Sequence, residues 1–158
     1  MTLDSLSFLR SSRSLLFFSL IGLSLPISAQ SVIIAEFMAS NDKTIDDEDG
    51  DSEDWIELYN LSGSAINLSG WYLTDDATNL TKWTIPDVTL SEGQIFLIFA
   101  SNKDRNDPAS ELHTNFKLSS SGEYLALVRP DGVTVEHDYG PAYPQQVSDV
   151  SYLSLIHI

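Results

Sequence analysis

The stretch Tyr124–Arg129 (YLALVR), Pro130-Asp131-Gly132 and Val133–His137 (VTVEH) decides the fold class of this chain. Two runs rich in apolar and β-branched residues flank three residues that favour a tight turn, because proline fixes φ and glycine reaches positive φ. The stretch therefore predicts a β-hairpin, and with it an antiparallel sheet.

The chain on either side of this hairpin has the same character. Short β-rich runs alternate with clusters of Gly, Asn, Asp, Ser and Pro, and no apolar pattern of helical period is sustained. Seven or eight short strands at this spacing predict an antiparallel β-sandwich. Besides the hairpin, the expected strands are Val32–Met38, Trp55–Tyr59, Ala65–Leu68, Trp71–Thr74, Lys82–Ile85 and Gln94–Ala100.

The composition excludes several classes of function. The 158 residues include 8 Lys and Arg against 23 Asp and Glu, a formal charge of −15. Non-specific binding to nucleic acid or to anionic membranes needs an excess of Lys and Arg, so we expect neither. The chain has no cysteine, which excludes a disulfide scaffold, a thiolate metal site and a cysteine nucleophile.

Residues 1–29 have the pattern of a secretory signal peptide. Arg10 and Arg13 precede an apolar core, Leu15–Leu25, and Ala29 is a small residue at the expected cleavage site. The apolar core is too short to span a membrane, which takes about 20 apolar residues. We therefore expect an exported chain that has no stable membrane span after cleavage. The alternative is an uncleaved membrane anchor.

The C-terminal part is predicted to lie outside the domain. The last six residues, Leu153–Ile158 (LSLIHI), follow a polar stretch abruptly and resemble the translation of a sequencing adapter, so we predict an artefact. The alternative is a genuine edge strand. Residues 139–152 are predicted to be a linker toward a further C-terminal region. This leaves residues 30–138 as one domain, large enough to bury a core without cross-links.

Six segments of this domain, in their order and spacing, resemble a bacterial lamin tail domain. The most specific are WIELYN (Trp55–Asn60), LSGW (Leu68–Trp71) and LHTNF (Leu112–Phe116). The resemblance covers about Val32 to Asp138 and implies an immunoglobulin-like antiparallel β-sandwich. The six segments are VIIAEFMASN, DEDGDSEDWIELYN, INLSGWYLTDD, KWTIP, FLIFASNKDR and ELHTNFKLSSSGEYLALVRPDG.

The resemblance implies a function without catalysis. In nuclear lamins this fold is a non-enzymatic interaction module, and similar bacterial domains lie in secreted or surface proteins. We therefore expect a secreted or cell-surface interaction or spacer module at the N-terminus of a larger protein, with a protein or a cell-surface polymer as its partner. One alternative is an accessory domain of a secreted CotH-like kinase, because Pro144–Tyr152 is similar to the linker of that arrangement.

The aromatic residues suggest a second alternative, a carbohydrate-binding module. Aromatic rings exposed on one face of a sheet bind sugars in many sandwich domains, and the candidates are Trp55, Trp71 and Trp83, with Tyr59, Tyr72 and Phe96. In an immunoglobulin-like core the same residues pack inside. We predict that Trp55 and Trp71 are core residues and that Trp83, beside a turn, is the candidate for exposure.

Nine carboxylates between residues 42 and 57 form a conspicuous acidic run around Gly50, with Lys43 as the nearby cation. Alternating carboxylates in a flexible loop are ligands that Ca²⁺ prefers. An EF-hand register fails, because its first and twelfth positions fall on Ile45 and Ile56. Two interpretations stay open, a weak Ca²⁺ site and a solvated acidic loop, and we expect no other cofactor. The candidate metal ligands are Asp47, Asp49 and Asp51.

The domain has few candidates for catalysis. His113 and His137 are its only histidines, and no local signature such as G-x-S-x-G joins either of them to a nucleophile. Glu36 and Glu57 lie in apolar strands, but a sandwich of this size offers no deep cleft for a glycosidase pair. We therefore expect no catalytic residues, with His113 at a strand edge and the two glutamates in structural roles.

Overall fold

The computed structural model describes residues 30–154. The expected signal peptide and the last four residues lie outside the described residues. Residues 30–154 form β-strands and no helix, so this part contains no helix able to cross a membrane. The strands are β1 (Val32–Met38), β2 (Asp54–Asn60), β3 (Ile66–Asn67), β4 (Tyr72–Thr74), β5 (Trp83–Thr84), β6 (Thr89–Leu90), β7 (Ile95–Ala100), β8 (Ala126–Val128), β9 (Val135–Asp138) and β10 (Tyr152–Leu153).

Two four-stranded sheets enclose the core. The first sheet has the order β10-β1-β2-β7, the second has the order β5-β4-β8-β9, and β3 pairs with β6 in a small third sheet. Neighbouring strands are antiparallel in all three sheets. Phe37, Ile56, Leu73 and Leu127, two from each large sheet, belong to one buried apolar cluster. The predicted all-β, immunoglobulin-like antiparallel sandwich is confirmed.

The hairpin that decided the fold class forms as predicted. Strands β8 and β9 pair with Leu127 opposite His137. Gly132 has a φ of 71° in the turn, and its backbone N–H donates to Arg129 O at 3.0 Å. A residue with a side chain is strained at this φ, so the glycine allows the turn to close.

Side chains in β2 alternate between the two faces of the first sheet. Ile56 and Leu58 point into the core between the sheets. Trp55 points to the opposite, outer face, where it forms a second small cluster with Met38 and Phe99. Trp55 is therefore buried, as predicted, but under the loops that cover the outer face rather than between the sheets.

The other two tryptophans lie in the main core. Trp71 is 8% exposed, which confirms it as a core residue. Trp83 is 3% exposed, so the prediction of an exposed side chain was wrong. The reason is its register: Trp83 pairs with Leu73 across β4 and β5, and directly opposed residues point to the same face of a sheet.

Residues 139–154, the C-terminal strap, pack onto the domain instead of leaving it. The rings of Tyr139, Tyr143 and Tyr152 have their centroids 5.1, 4.7 and 5.3 Å from that of Phe37. Strand β10 then pairs Leu153 with Glu36 of β1. The similarity of Pro144–Tyr152 to a linker predicts a linker over residues 139–152, whereas the three tyrosines of this segment pack their rings against Phe37. A further C-terminal region stays a prediction. An artefactual origin of Leu153–Ile158 stays a prediction.

The strap and β9 together close the outer edge of β1. Ser31 N donates to Glu136 Oε1 at 2.5 Å, and Ile34 N donates to His137 Nδ1 at 3.4 Å. The Tyr139 hydroxyl donates to Ile34 O at 2.9 Å. Backbone groups that an edge strand would expose are thus bound by side chains of β9 and of the strap.

Candidate functional site

Three carboxylates of the acidic loop converge on Lys103. The nearest carboxylate oxygens of Asp47, Asp49 and Asp51 lie 2.5, 2.8 and 2.9 Å from Lys103 Nζ. Local bonds shape the loop, because Asp47 Oδ1 accepts the backbone N–H groups of Asp49 and Asp51 at 2.9 and 3.0 Å. Gly50, with a φ of 82°, makes the turn between them. The loop therefore presents its carboxylates to one cation.

Arg105 is the second cation of this site. Its guanidinium donates to Glu48 at 3.0 Å and to Asp49 at 2.6 Å. The backbone of Arg105 exchanges two 2.9 Å hydrogen bonds with that of His113, which fixes the segment that follows β7. Sequence reasoning missed both cations because they lie far from the acidic run. The available signal was the K-x-R spacing at the end of an apolar strand.

The charges of the site stabilise one another. Hydrogen bonds from Arg105 and then Lys103 lower the pKa of Asp49 to about 2. Burial alone would raise the pKa of Asp47, but the bond from Lys103 and two backbone donors outweigh it, so that pKa is lowered. Burial opposes the charge on Lys103 as well, and its bonds to three carboxylates raise the pKa of the ammonium group. All these groups are charged at neutral pH.

A comparison with known families identifies the domain. The family model described as Lamin Tail Domain matches residues 26–140. The chain belongs to the lamin tail domain family. This confirms the resemblance predicted from the sequence, and it places the chain among immunoglobulin-like domains that are not catalytic. A search of curated protein sequences gave no significant match.

The predicted metal ligands of this lamin tail domain are brought together around a side-chain cation. Oxygens of the three aspartates lie within 4.8 Å of one another, but Lys103 Nζ lies at their centre. A Ca²⁺ ion using the same oxygens would have to displace it. Lys43, the cation expected at the loop, instead pairs with Asp149 at 3.5 Å and is 81% exposed. Weak Ca²⁺ binding at Asp47, Asp49 and Asp51 stays a prediction.

Beneath the acidic loop, His113 forms a buried polar contact that resembles part of a catalytic triad. His113 Nδ1 is 2.8 Å from Ser101 Oγ and 4.0 Å from Asp47 Oδ2. In a triad the hydroxyl and the carboxylate approach different ring nitrogens, whereas here both approach the same one. The ring is fully buried and stacks on Phe99 at 5.2 Å, and burial lowers the pKa of His113. The arrangement is structural.

Glu36 and Glu57 lie directly opposite each other on β1 and β2. Both are half-buried on the outer face of the first sheet, and neither forms an ion pair within residues 30–154. Burial, and then the charge of Glu36, raises the pKa of Glu57. This outer face is therefore acidic at its centre and apolar at Leu97 and Trp55 beside it.

Proposed function

We propose that this lamin tail domain is an exported, non-enzymatic interaction or spacer module that binds a protein or a cell-surface polymer. The family membership supports an interaction role, and the signal-peptide pattern of residues 1–29 supports export. All three tryptophans are buried, which leaves only the half-buried Tyr59, Tyr72 and Phe96 of the proposed sugar-binding platform. The domain then offers edges and charged loops, rather than an aromatic cleft, to a partner.

One observation carries the proposal: within residues 30–154, each lysine and arginine is bound to a carboxylate of the same domain. The pairs are Lys43–Asp149, Lys82–Asp75, Lys103 with three aspartates, Arg105 with Glu48 and Asp49, Lys117–Glu53 and Arg129–Glu136.

The unpaired charges within residues 30–154 are therefore all acidic. Of the 8 Lys and Arg, 6 follow residue 29, against 22 of the 23 Asp and Glu, so the exported chain carries a net charge of −16. Because its lysines and arginines are paired within the domain, the domain favours basic or neutral partners and repels anionic ones. Side chains of a reactive type, such as His113 and Lys103, are held in internal contacts.

Export and surface binding are tested separately. N-terminal sequencing of protein recovered from the periplasm or the culture medium should begin near Gln30, and intact Met1 on cytoplasmic protein would contradict export. Fluorescently labelled, purified chain should bind intact cells of the producing organism and release in high NaCl, since screening weakens charge attraction. No binding above that of a labelled, equally acidic control protein would contradict the interaction role.

A further inference from the structure

The first sheet has a second edge, on β7, that the chain covers only in part. Phe99 N donates to Leu112 O at 2.9 Å and Thr114 N donates to Phe99 O at 2.8 Å. The backbone groups of Phe99 thus point away from β2. Because this direction alternates along an antiparallel strand, Leu97 and Ile95 point their N–H and C=O groups the same way.

The covering segment stops at Phe99. Within residues 30–154, no other segment donates to or accepts from the outward backbone groups of Ile95 and Leu97. Exposure increases along the strand from Phe99 toward Ile95: Phe99 is buried, Leu97 is half-buried and Ile95 is 55% exposed. The half of β7 before Phe99 is therefore an open edge, here called the β7 edge (Ile95–Leu97).

This edge lacks the usual protection against strand addition. Natural sheets blunt open edges with lysine, proline, a bulge or a covering loop. Ile95, Phe96 and Leu97 include no charge and no proline, and β7 pairs with β2 in an unbroken register. By contrast, the edge on β1 is covered along its length by β10, Glu136, His137 and Tyr139.

We propose that the β7 edge (Ile95–Leu97) binds an extended, basic segment of a partner protein as an additional β-strand. This inference rests on the proposed interaction role and names the surface and the chemistry of the partner. The main-chain groups of Ile95 and Leu97 provide the hydrogen bonds of strand addition. The added strand continues the line begun by residues 112–114, which run parallel to β7 at Phe99.

Charge decides the occupant. A second copy of this chain would bring another net charge of about −16 to the same edge, which opposes self-pairing. A basic segment meets the opposite situation, because Glu57 lies beside Leu97 and Glu36 lies beside Glu57 on the outer face. Neither glutamate has an ion-pair partner within the described part of the chain, so long cationic side chains of an added strand would lie near unneutralised carboxylates.

A synthetic peptide tests the inference on the intact chain. The probe is an eight-residue peptide of alternating Val and Lys, blocked at both ends, and the readout is amide hydrogen exchange by NMR. Exchange at Ile95 and Leu97 should slow by about tenfold or more at saturation, as added hydrogen bonds protect those amides. A peptide of the same sequence methylated at each backbone nitrogen keeps the charge, loses its own donors and carries methyl groups that block its approach to β7, so it should give no protection.

A matched pair of variants tests the same edge from the other side. Ile95→Pro removes an N–H that points away from β2, a position where proline is tolerated in edge strands, and it should weaken peptide binding by about tenfold or more. Ile95→Val keeps the donor and should bind within about twofold of the original chain. If Ile95→Pro does not fold, the exchange measurement on the unaltered chain still decides.

Two results would overturn the inference: equal binding of the methylated peptide, or unchanged exchange at Ile95 and Leu97 while the peptide is bound. Either would mean attraction by charge alone. Cell binding that survives Ile95→Pro would remove the β7 edge from the interaction and leave the interaction role intact. The loss of all cell binding by the unaltered chain would contradict the role itself.

Discussion

The two edges of the β10-β1-β2-β7 sheet differ in how the rest of the chain covers them. The β1 edge is closed by a strand from the C-terminal strap and by side chains of β9, with Phe37 packed against Tyr139, Tyr143 and Tyr152 beneath it. The β7 edge is closed at Phe99 and open before it. Burial follows the same division, since Phe37 is fully buried and Ile95 is 55% exposed.

The comparison distinguishes an edge that contributes to stability, on β1, from an edge whose backbone groups are available to a partner, on β7. Closing the β1 edge requires residues more than 100 positions away, such as Glu136 for Ser31, and the ordering of those residues costs conformational entropy. Within residues 30–154, no distant segment is ordered to bind the outward backbone groups of Ile95 and Leu97. The acidic loop resembles the closed edge in that its groups are paired within the domain, because Lys103 and Arg105 form ion pairs with its carboxylates.

The largest effect is expected at the closed edge. Phe37→Ala should lower the free energy of unfolding by about 3–5 kcal/mol, because it leaves a cavity among three tyrosine rings and loosens the strap. Ile95→Ala, at the open edge, should cost less than about 1 kcal/mol, since part of its apolar surface is already exposed. Urea unfolding of both variants measures the difference. Equal losses would mean that the two edges contribute alike.

Local patterns account for the part of the fold that the sequence predicted. The hairpin around Gly132 and the alternation of Trp55, Ile56 and Leu58 are read from neighbouring residues. The two-residue strand β6 was not predicted, and β10 corresponds only to the alternative of an edge strand beginning at Leu153, because pairing with distant strands, rather than composition, determines such short elements. The packing of the strap could not be predicted from local sequence, because its tyrosines are separated by polar residues and contact Phe37 about 100 residues away.

The second largest effect is expected in the acidic loop. Lys103→Met keeps much of the side-chain volume and leaves the fully buried Asp47 carboxylate without its cation. We expect a loss of about 2–3 kcal/mol in the free energy of unfolding, the cost of an uncompensated buried charge reduced by the nearby solvent. Adding Asp47→Asn should restore most of it. Lys43→Met, at an exposed pair, should change stability by less than about 0.5 kcal/mol.

The same variant separates the two interpretations of the acidic run. In the original chain, CaCl₂ and NaCl at equal ionic strength should raise the melting temperature equally, because Lys103 Nζ already occupies the position among the three aspartate carboxylates. In Lys103→Met, Ca²⁺ should stabilise more than NaCl, since the oxygens are then free to bind it. A larger shift with CaCl₂ in the original chain, abolished by Asp47→Asn with Asp49→Asn, would instead show a Ca²⁺ site there.

The acidic site was predictable only in part. Asp47, Asp49 and Asp51 were expected to lie together because they alternate around Gly50 in a short loop. Their cation was not, since Lys103 is 56 residues from Asp47 and only the completed sandwich brings the end of β7 beside the loop. A sequence shows which carboxylates cluster, whereas the fold decides whether a metal or a side chain neutralises them.

A smaller, pH-dependent effect is expected at the closed edge. Burial lowers the pKa of His137, although Asp138 and Glu136 oppose the shift, and its neutral Nδ1 accepts the Ile34 N–H. The unfolded chain then binds more protons than the folded one below about pH 6.5. This contribution to stability is therefore complete above that pH and is lost as the pH falls toward the folded pKa.

His137→Gln isolates this contribution, because glutamine does not titrate. Asp54 has the opposite slope: burial raises its pKa to about 6, so its stabilising protonation is lost as the pH rises through that value. Urea unfolding of both chains at several pH values cancels the Asp54 contribution in the difference. A difference that stays constant between pH 7 and pH 5 would show that His137 protonation does not weaken the β1 edge.

The smallest effect on stability is expected at Ile95, where a substitution tests directly whether the β7 edge is open. Ile95→Lys places a charge on an exposed side chain of an open edge, so the free energy of unfolding should change by less than about 0.5 kcal/mol. Val133→Lys, in the β8–β9 turn and 73% exposed, makes a similar change outside any strand and should behave alike in urea. Only Ile95→Lys should also weaken binding of the alternating Val-Lys peptide, because lysine at an edge opposes strand addition and repels a basic strand. If Ile95→Lys were several times more destabilising than Val133→Lys, the β7 edge would have to be covered in the native chain, and the contrast between the two edges would fail.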